Sequence, residues 1–363
     1  MNQRWLCSDV WMDIFPSFDR PQLGLKMALL SDRFDVLVDA HFDDKTTKFT
    51  IWRCIAIRKG IGPEPTLSVQ IDDKWIGFPL PDRPLPNKIR FKDLQIAYID
   101  DSVITFLRSN KQIWDRKGTN LNFWHSYETE EEEQQMWDVL ARQILPIFAT
   151  NIRHLDLPNV YHLDNFRRRI SPTLLTDLDQ LNSINSGLLF PDGIADNGPN
   201  ATAGQALTKW LHTPSKNGQP KRLFCEEFNQ EEDLDWINNF KEAFLRATTS
   251  VSYKIRLELY DSTPIEPFES VNERTQEKLK FLLVDENGYE FTKKWLLKRC
   301  PINEKAAAIQ WENDEIWDDN LNTVQFSLWG GKTSIGPYGF LPTKKKKKRV
   351  KASKYRRIAR KTN

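Results

Sequence analysis

No stretch of 18 apolar residues occurs in this 363-residue chain, so nothing in it reads as a transmembrane helix. The N-terminus also lacks a continuous apolar run, because Ser8, Asp9 and Asp13 interrupt it, and no secretory signal is expected. Cysteine is scarce. Cys7, Cys54, Cys225 and Cys300 lie far apart with no paired spacing, which predicts free, buried thiols in a reducing compartment rather than a disulfide framework or a metal site. Five histidines, at 41, 125, 154, 162 and 212, show no ligand spacing, and His154 and His162 are expected at the surface or in ordinary hydrogen bonds. Gly331-Lys332-Thr333 mimics the end of a phosphate loop, but Phe326 stands where the first glycine belongs. Lys332 stands where a nucleophile elbow around Ser334 needs its first glycine, and no cysteine stands beside a histidine. The acidic runs Glu130–Glu133 and Glu231–Asp233 fall where helix N-termini favour negative charge. No catalytic residue, metal ligand or cofactor is expected, and the chain reads as a non-enzyme.

Aromatic side chains, in contrast, are abundant. The 13 tryptophans argue for extensive buried or interfacial surface. The net charge of +2 conceals a split: residues 344–363 hold 12 of the 52 basic residues and no acid, leaving a body of formal charge −10. The run Lys344, Lys345, Lys346, Lys347, Lys348, Arg349 matches a monopartite nuclear-localisation signal read by an import receptor. A run this dense is expected to be disordered by self-repulsion, and it can equally contact nucleic-acid phosphates or anionic lipid.

Residues 6–42 are the greasiest part, with 20 of 37 apolar. Three helices are predicted: one capped by Ser8 and carrying Val10, Trp11, Ile14, Phe15 and Phe18; one opening at Pro21 with Leu23, Leu25, Met27, Leu29 and Leu30; and one starting at Ser31 or Asp32 with Phe34, Leu37 and Val38. Each is apolar on more than one side, so one side is left for something beyond the mini-core. That can be a partner, or it can be this chain's own 44–100 region.

Residues 44–90 read as extended segments ending in a proline-rich connector, Pro79 to Pro86. From 91 to 260 short strands alternate with helices, anchored at Leu94, Leu121, Leu155, Ile184, Leu223 and Ile255. Three of the strands follow the apolar-x-x-L-x-apolar grammar of leucine-rich repeats, in which each strand stacks beside its predecessor; an ordinary open α/β sheet is the alternative. From 261 to 330, "KLKFLLVDENGYEF" reads as a hairpin, "KKWLLKRCP" as a further strand, a helix is expected at about 303–318, and "NTVQFSLW" forms a last strand that caps the array or closes its final sheet.

The opening stretch "LCSDVWMDIFPSF" resembles the F-box pattern L-P-x-E-(V/L)-L-x-x-I-F-x-x-L through Leu6, Asp9, Val10, Ile14 and Phe15, with Cys7 in place of the proline and Phe18 in place of the last leucine. "LLSDRFDVLV" is similar to the ending of the same domain. Further blocks, "AYIDDSVITFLRS", "DRKGTNL", "KWLHTPSKNGQPK" and "WLLKRCP", resemble the F-box-like proteins of nematodes over most of residues 5–300. Together the residue patterns give an α/β chain in five parts. These are an F-box-like helical module (4–43), an extended connector (44–90), an irregular, leucine-rich-repeat-like β/α domain with a curved sheet (91–260), an α+β cap (261–330) and a disordered basic tail (331–363). The resemblance implies a substrate receptor of a cullin–RING ubiquitin ligase that holds an unknown target protein, and the cysteines and the basic run place it in the nucleus, the cytoplasm or both. The adaptor subunit would dock on Leu6, Val10, Ile14, Phe15, Leu25 and Leu29. The alternative is a nuclear scaffold that recruits no ligase and touches nucleic acid through its tail.

Overall fold

The computed structural model describes residues 6–42, 51–60, 64–71, 74–86, 89–114, 118–126, 130–157, 160–216, 218–228, 235–260, 265–285, 292–303 and 321–329. They form an α/β protein around one open, mixed sheet of thirteen strands: β1 (Ile51–Lys59), β2 (Pro65–Ile71), β3 (Lys74–Pro79), β4 (Arg90–Ile96), β5 (Thr119–Ser126), β6 (Ile152–Asp156), β7 (Ser183–Asn185), β8 (Lys221–Phe228), β9 (Tyr253–Tyr260), β10 (Phe268–Asn272), β11 (Glu277–Asp285), β12 (Thr292–Pro301) and β13 (Asn322–Trp329). The spatial order is β10-β11-β12-β9-β8-β7-β6-β5-β13-β4-β1-β2-β3. From β9 through β1 every neighbouring pair is parallel, and antiparallel strands extend both ends.

One row of side chains crosses the whole sheet. Ile76, Val69, Ile55, Leu94, Val324, Leu121, Leu155, Ile184, Leu223, Ile255, Leu297, Phe281 and Phe268 are register partners from β3 to β10. The eleven inner members are at most 3% exposed. Because side chains alternate across a strand, this row fixes which face is dry. Strands β5 to β9 advance in one direction, so crossovers of a single hand put their helices on that same face. The ring contacts agree: Phe123 of β5 meets Phe166 of helix Val160–Arg169 edge-on at 4.9 Å, and Tyr253 of β9 meets Phe240 of helix Asp235–Arg246 at 6.4 Å.

Local signals set the helix boundaries. Asp100 caps helix Asp101–Ser109 by accepting from Val103 N at 2.9 Å, and Thr202 with Gln205 forms a capping box on helix Ala203–Leu211. Buried Asn110 ends the former helix and accepts from Leu85 N at 2.7 Å, which ties the proline-rich connector to the helical layer. At the other end of the sheet, Arg299 and Glu277 form an ion pair at 2.6 Å with both side chains 1% exposed. Glu277 also accepts from Ser250 Oγ and Val251 N, while Arg299 donates to Thr249 O and lies over the Phe244 ring. The clamp pins the turn after helix Asp235–Arg246 to two strands.

Several expectations are corrected here. The strand "NTVQFSLW" is β13, yet it neither caps the array nor closes its last sheet; it inserts between β4 and β5, so Val324 separates Leu94 from Leu121. The final sheet is instead extended by β12, β11 and β10, with "KKWLLKRCP" serving as the second arm of the hairpin whose turn, 286–291, lies outside the described residues. The helix expected at about 303–318 also lies outside them. Cys7, not Ser8, occupies the N-cap of the first helix, without a side-chain cap, and Cys7 is an exposed thiol.

Two outcomes follow. A chain stopped at residue 320 lacks the strand that joins β4 to β5 and will lose cooperative unfolding in urea, whereas one stopped at residue 343 will keep it. Replacing Glu277 by Ala strands the buried Arg299 charge and will cost about 3–5 kcal/mol in denaturant unfolding. Loss of the half-exposed Lys280–Glu269 pair at 3.0 Å will cost about 1 kcal/mol or less.

Candidate binding surfaces

The N-terminal helices settle on the β1–β3 end of the sheet. The Lys26 ammonium sits 5.5 Å over the ring of Phe78, which shares the dry face with Ile76, and Arg83 pairs with Asp32. Helix Ser8–Ile14 crosses helix Asp32–Phe42 where Trp11 meets Phe34 edge-on at 4.8 Å, and Arg33 donates to Leu6 O at 2.7 Å. Phe15, Leu23, Leu25, Ala28, Val38 and Phe42 join the continuous core.

The six residues read as adaptor contacts therefore divide. Phe15 (0% exposed) and Leu25 (5%) point inward, Ile14 and Leu29 are half-buried, and Leu6 (48%) and Val10 (38%) face out. Leu30 (65%) and Val36 (68%) are also exposed on these helices and are not among the six; the apolar count alone could not say which side of each helix was inward. The basic run 344–349 lies outside the described residues.

A second surface is the face of the sheet opposite the apolar row. One polar row there runs Asp93, Thr323, Asn120, His154, Ser183, Arg222, Lys254, Lys298, Lys280; a parallel one runs Gln95, Gln325, Asn122, Asp156, Asn185, Phe224, Arg256, Leu296, Leu282. Its centre is tightly held: His154, Asp156, Ser183 and Asn185 are buried, and Asn122 donates to Asp156 at 2.6 Å. Toward β12 the first row becomes cationic and half-buried, while the second carries Phe224, Leu296 and Leu282 around Arg256. The pattern is written into the strands, since "SYKIRLELY" alternates apolar and polar residues, but the lateral neighbours of each charge depend on register.

A depression of about 580 Å³ lies between Asp164–Pro172 and Pro199–Thr202. Arg167 beneath it is committed to Pro172 O, Gly198 O, Ala201 O and Asp164, and so staples a loop to a helix. Among the described residues, no group of three or more His, Cys, Asp or Glu is placed to hold a metal ion, and no helix is long and apolar enough to cross a membrane.

No family model matches the chain. Neither the curated proteins nor the solved structures give a match.

For His154 and His162 only the surface alternative is overturned. His154 and His162 are 2% and 5% exposed, not surface residues. Burial lowers the pKa of His154 to about 3 and that of His162 to about 4; His212, between the rings of Phe240 and Tyr253, is lowered to about 4 by burial and by Arg299, Lys221 and Lys209. Lys221, whose ammonium donates to Trp210 O and lies over the Trp210 ring, is lowered to about 7 by burial. Each of these groups binds its proton more readily in the unfolded chain. The stability held by the neutral histidines is present above pH 6.5 and is lost as pH falls toward 4, at about 2 kcal/mol per histidine between pH 7 and pH 5. Neutral Lys221 adds stability as pH rises from about 7 toward 10.5. Thermal unfolding will therefore show Tm climbing from acid into alkaline pH, with a shallower acid limb in His162→Gln.

Proposed function

We propose that the chain is a non-catalytic receptor: its N-terminal helices dock the adaptor subunit of a cullin–RING ubiquitin ligase, and its leucine-rich-repeat-like sheet holds a protein target. The observation that carries the reading is the division within residues 6–42, where Phe15, Leu23 and Leu25 seal the module onto the sheet while Leu6, Val10, Leu30 and Val36 remain exposed. Full burial of four such side chains on a partner is worth roughly 6–12 kcal/mol gross, against an association cost of about 4–15 kcal/mol. The F-box-like spacing of Leu6, Val10, Ile14 and Phe15 supplies the identity of the partner, and the sequential parallel strands β5 to β9 support a repeat-like platform behind it.

A second reading, a nuclear scaffold that recruits no ligase, draws on the depth of Phe15 and Leu25 in the chain's own core. Co-purification with the adaptor separates the two. Leu6→Asp/Val10→Asp will change stability by no more than about 0.5 kcal/mol per site, because both positions are exposed, and will abolish adaptor capture. Wild-type protein that captures no adaptor, or a double variant that captures it unchanged, removes the ligase reading.

A further inference from the structure

Helix Ala203–Leu211 ends at His212, and the connection 212–220 leads from it to β8. Thr213 opens this connection. Its hydroxyl donates to Lys209 O at 2.8 Å in an exposed position, and its N–H donates to Trp210 O at 3.1 Å. Both bonds are local to one turn, so the hydroxyl is freed without disturbing the sheet. Pro214, Lys216, Gly218 and Gln219 are exposed, and a Cβ placed on Gly218 would meet nothing within 4 Å. The segment therefore stands clear of the body, where the cleft of a second protein can close on it.

The order Thr213-Pro214-Ser215-Lys216 carries the chemistry that a proline-directed kinase selects. Proline after the acceptor has no N–H and a fixed φ, so a cleft that offers that position an apolar wall and no acceptor takes it in preference. Lysine three places after the acceptor gives acidic groups of the cleft a counter-charge. The sequence holds two other Ser-Pro or Thr-Pro steps, and neither fits as well: Leu174 stands three places after Ser171, and Glu266 three places after Thr263. Ser171 also donates to Asp177 at 3.2 Å, so a phosphate there would meet a carboxylate. The surroundings of Thr213 are the reverse. Lys209, one turn before it, and Lys216, just after it, are both exposed. The neighbouring His212 is kept neutral by burial and by Arg299, Lys221 and Lys209. Arg299 is matched by Glu277 and Lys216 by Asp179, whereas no acid among the described residues pairs with Lys209 or Lys221.

We propose that Thr213 is a phosphoacceptor for a proline-directed protein kinase and that Lys209 and Lys216 hold the phosphate. The terminal phosphoryl group of ATP passes to Thr213 Oγ. The new O–P bond forms as the bond from that phosphorus to the β–γ bridging oxygen breaks, ADP leaves, and the hydroxyl proton goes to the kinase's catalytic carboxylate. The product carries about −1.5 to −2 charge at pH 7. The carbonyl end of helix Ala203–Leu211 disfavours that charge, and the two exposed ammonium groups offset it. The hydroxyl's bond to Lys209 O is given up. The inference goes beyond the receptor reading and needs neither adaptor nor target.

The test incubates the full-length chain with ATP, magnesium and a purified cyclin-dependent kinase, and maps the phosphate by mass spectrometry. The expected result is incorporation at Thr213 that is lost in Thr213→Ala, about tenfold or more slower in Lys216→Ala and unchanged in Ser171→Ala. Phosphorus NMR of the product then gives the second ionisation of the phosphate, about pH 6 in an unfolded chain. In the folded protein it lies below its value in the same protein unfolded in urea, and Lys209→Gln moves it back up. Wild-type protein that takes no phosphate at Thr213, or takes it at Ser171 or Thr263 as fast, overturns the site, and this mapping depends on no variant folding. An ionisation that is the same folded and unfolded overturns the role given to the two lysines. The assay contains no adaptor, so failure here leaves adaptor docking standing, and failure of adaptor capture leaves this result standing.

Discussion

Lateral register of a single apolar row holds the molecule together. Thirteen strands contribute one residue each, and eleven of those residues are sealed between the sheet and its helices. A one-residue slip in β2, β4, β5, β6, β7, β9 or β13 would exchange a member of this row for a polar neighbour, placing an unpaired polar side chain in the core and a hydrocarbon in water. The two faces are consequently specified together. The helical layer has a dry floor, and the opposite face is left polar from Asp93 to Lys280.

The same constraint explains how the N-terminal helices and the last strand belong to one body. The helices cover the β1–β3 end, where Phe78 and the outer part of the row need a lid. Strand β13 supplies Val324, Phe326 and Leu328, each 0% exposed, and Phe326 stacks on Phe123 at 5.3 Å. Without β13 the β4 edge and the β5 edge would face each other across a missing strand. A module that on its own holds too much apolar surface is thereby accommodated, in part by the chain itself and in part by leaving Leu6, Val10, Leu30 and Val36 turned outward.

Much of the sheet is legible in the amino-acid sequence. Leu121, Leu155, Ile184, Leu223 and Ile255, picked out as anchors by local pattern, are true lateral partners because sequential β–helix–β units bring neighbours in sequence together in space. Position of β13 is not legible: its composition announces a strand, but partner choice between distant segments is decided by the vacancy between β4 and β5. Burial of His154 and His162 escapes for a related reason, since their polarity suggests water while their surroundings are set by other elements. At the surface, apolar periodicity located the three N-terminal helices and separated neither Phe15 and Leu25 from the exposed set nor Leu30 and Val36 from the hidden one. The cationic stretch of the polar face has a local trace in alternating strands such as β9, but only register assembles it into a row.

Insertion of β13 also sets a condition on biosynthesis. Residues 322–329 leave the ribosome after the other twelve described strands have been made, yet they belong in the middle of the sheet. Until they arrive, the nascent chain carries two facing strand margins, each rich in unsatisfied peptide groups and apolar side chains, and contacts of this sequence separation form slowly. A polypeptide arrested shortly before this point is therefore a ready substrate for chaperones and for aggregation, and commitment to the native state waits until residues 322–329 have emerged.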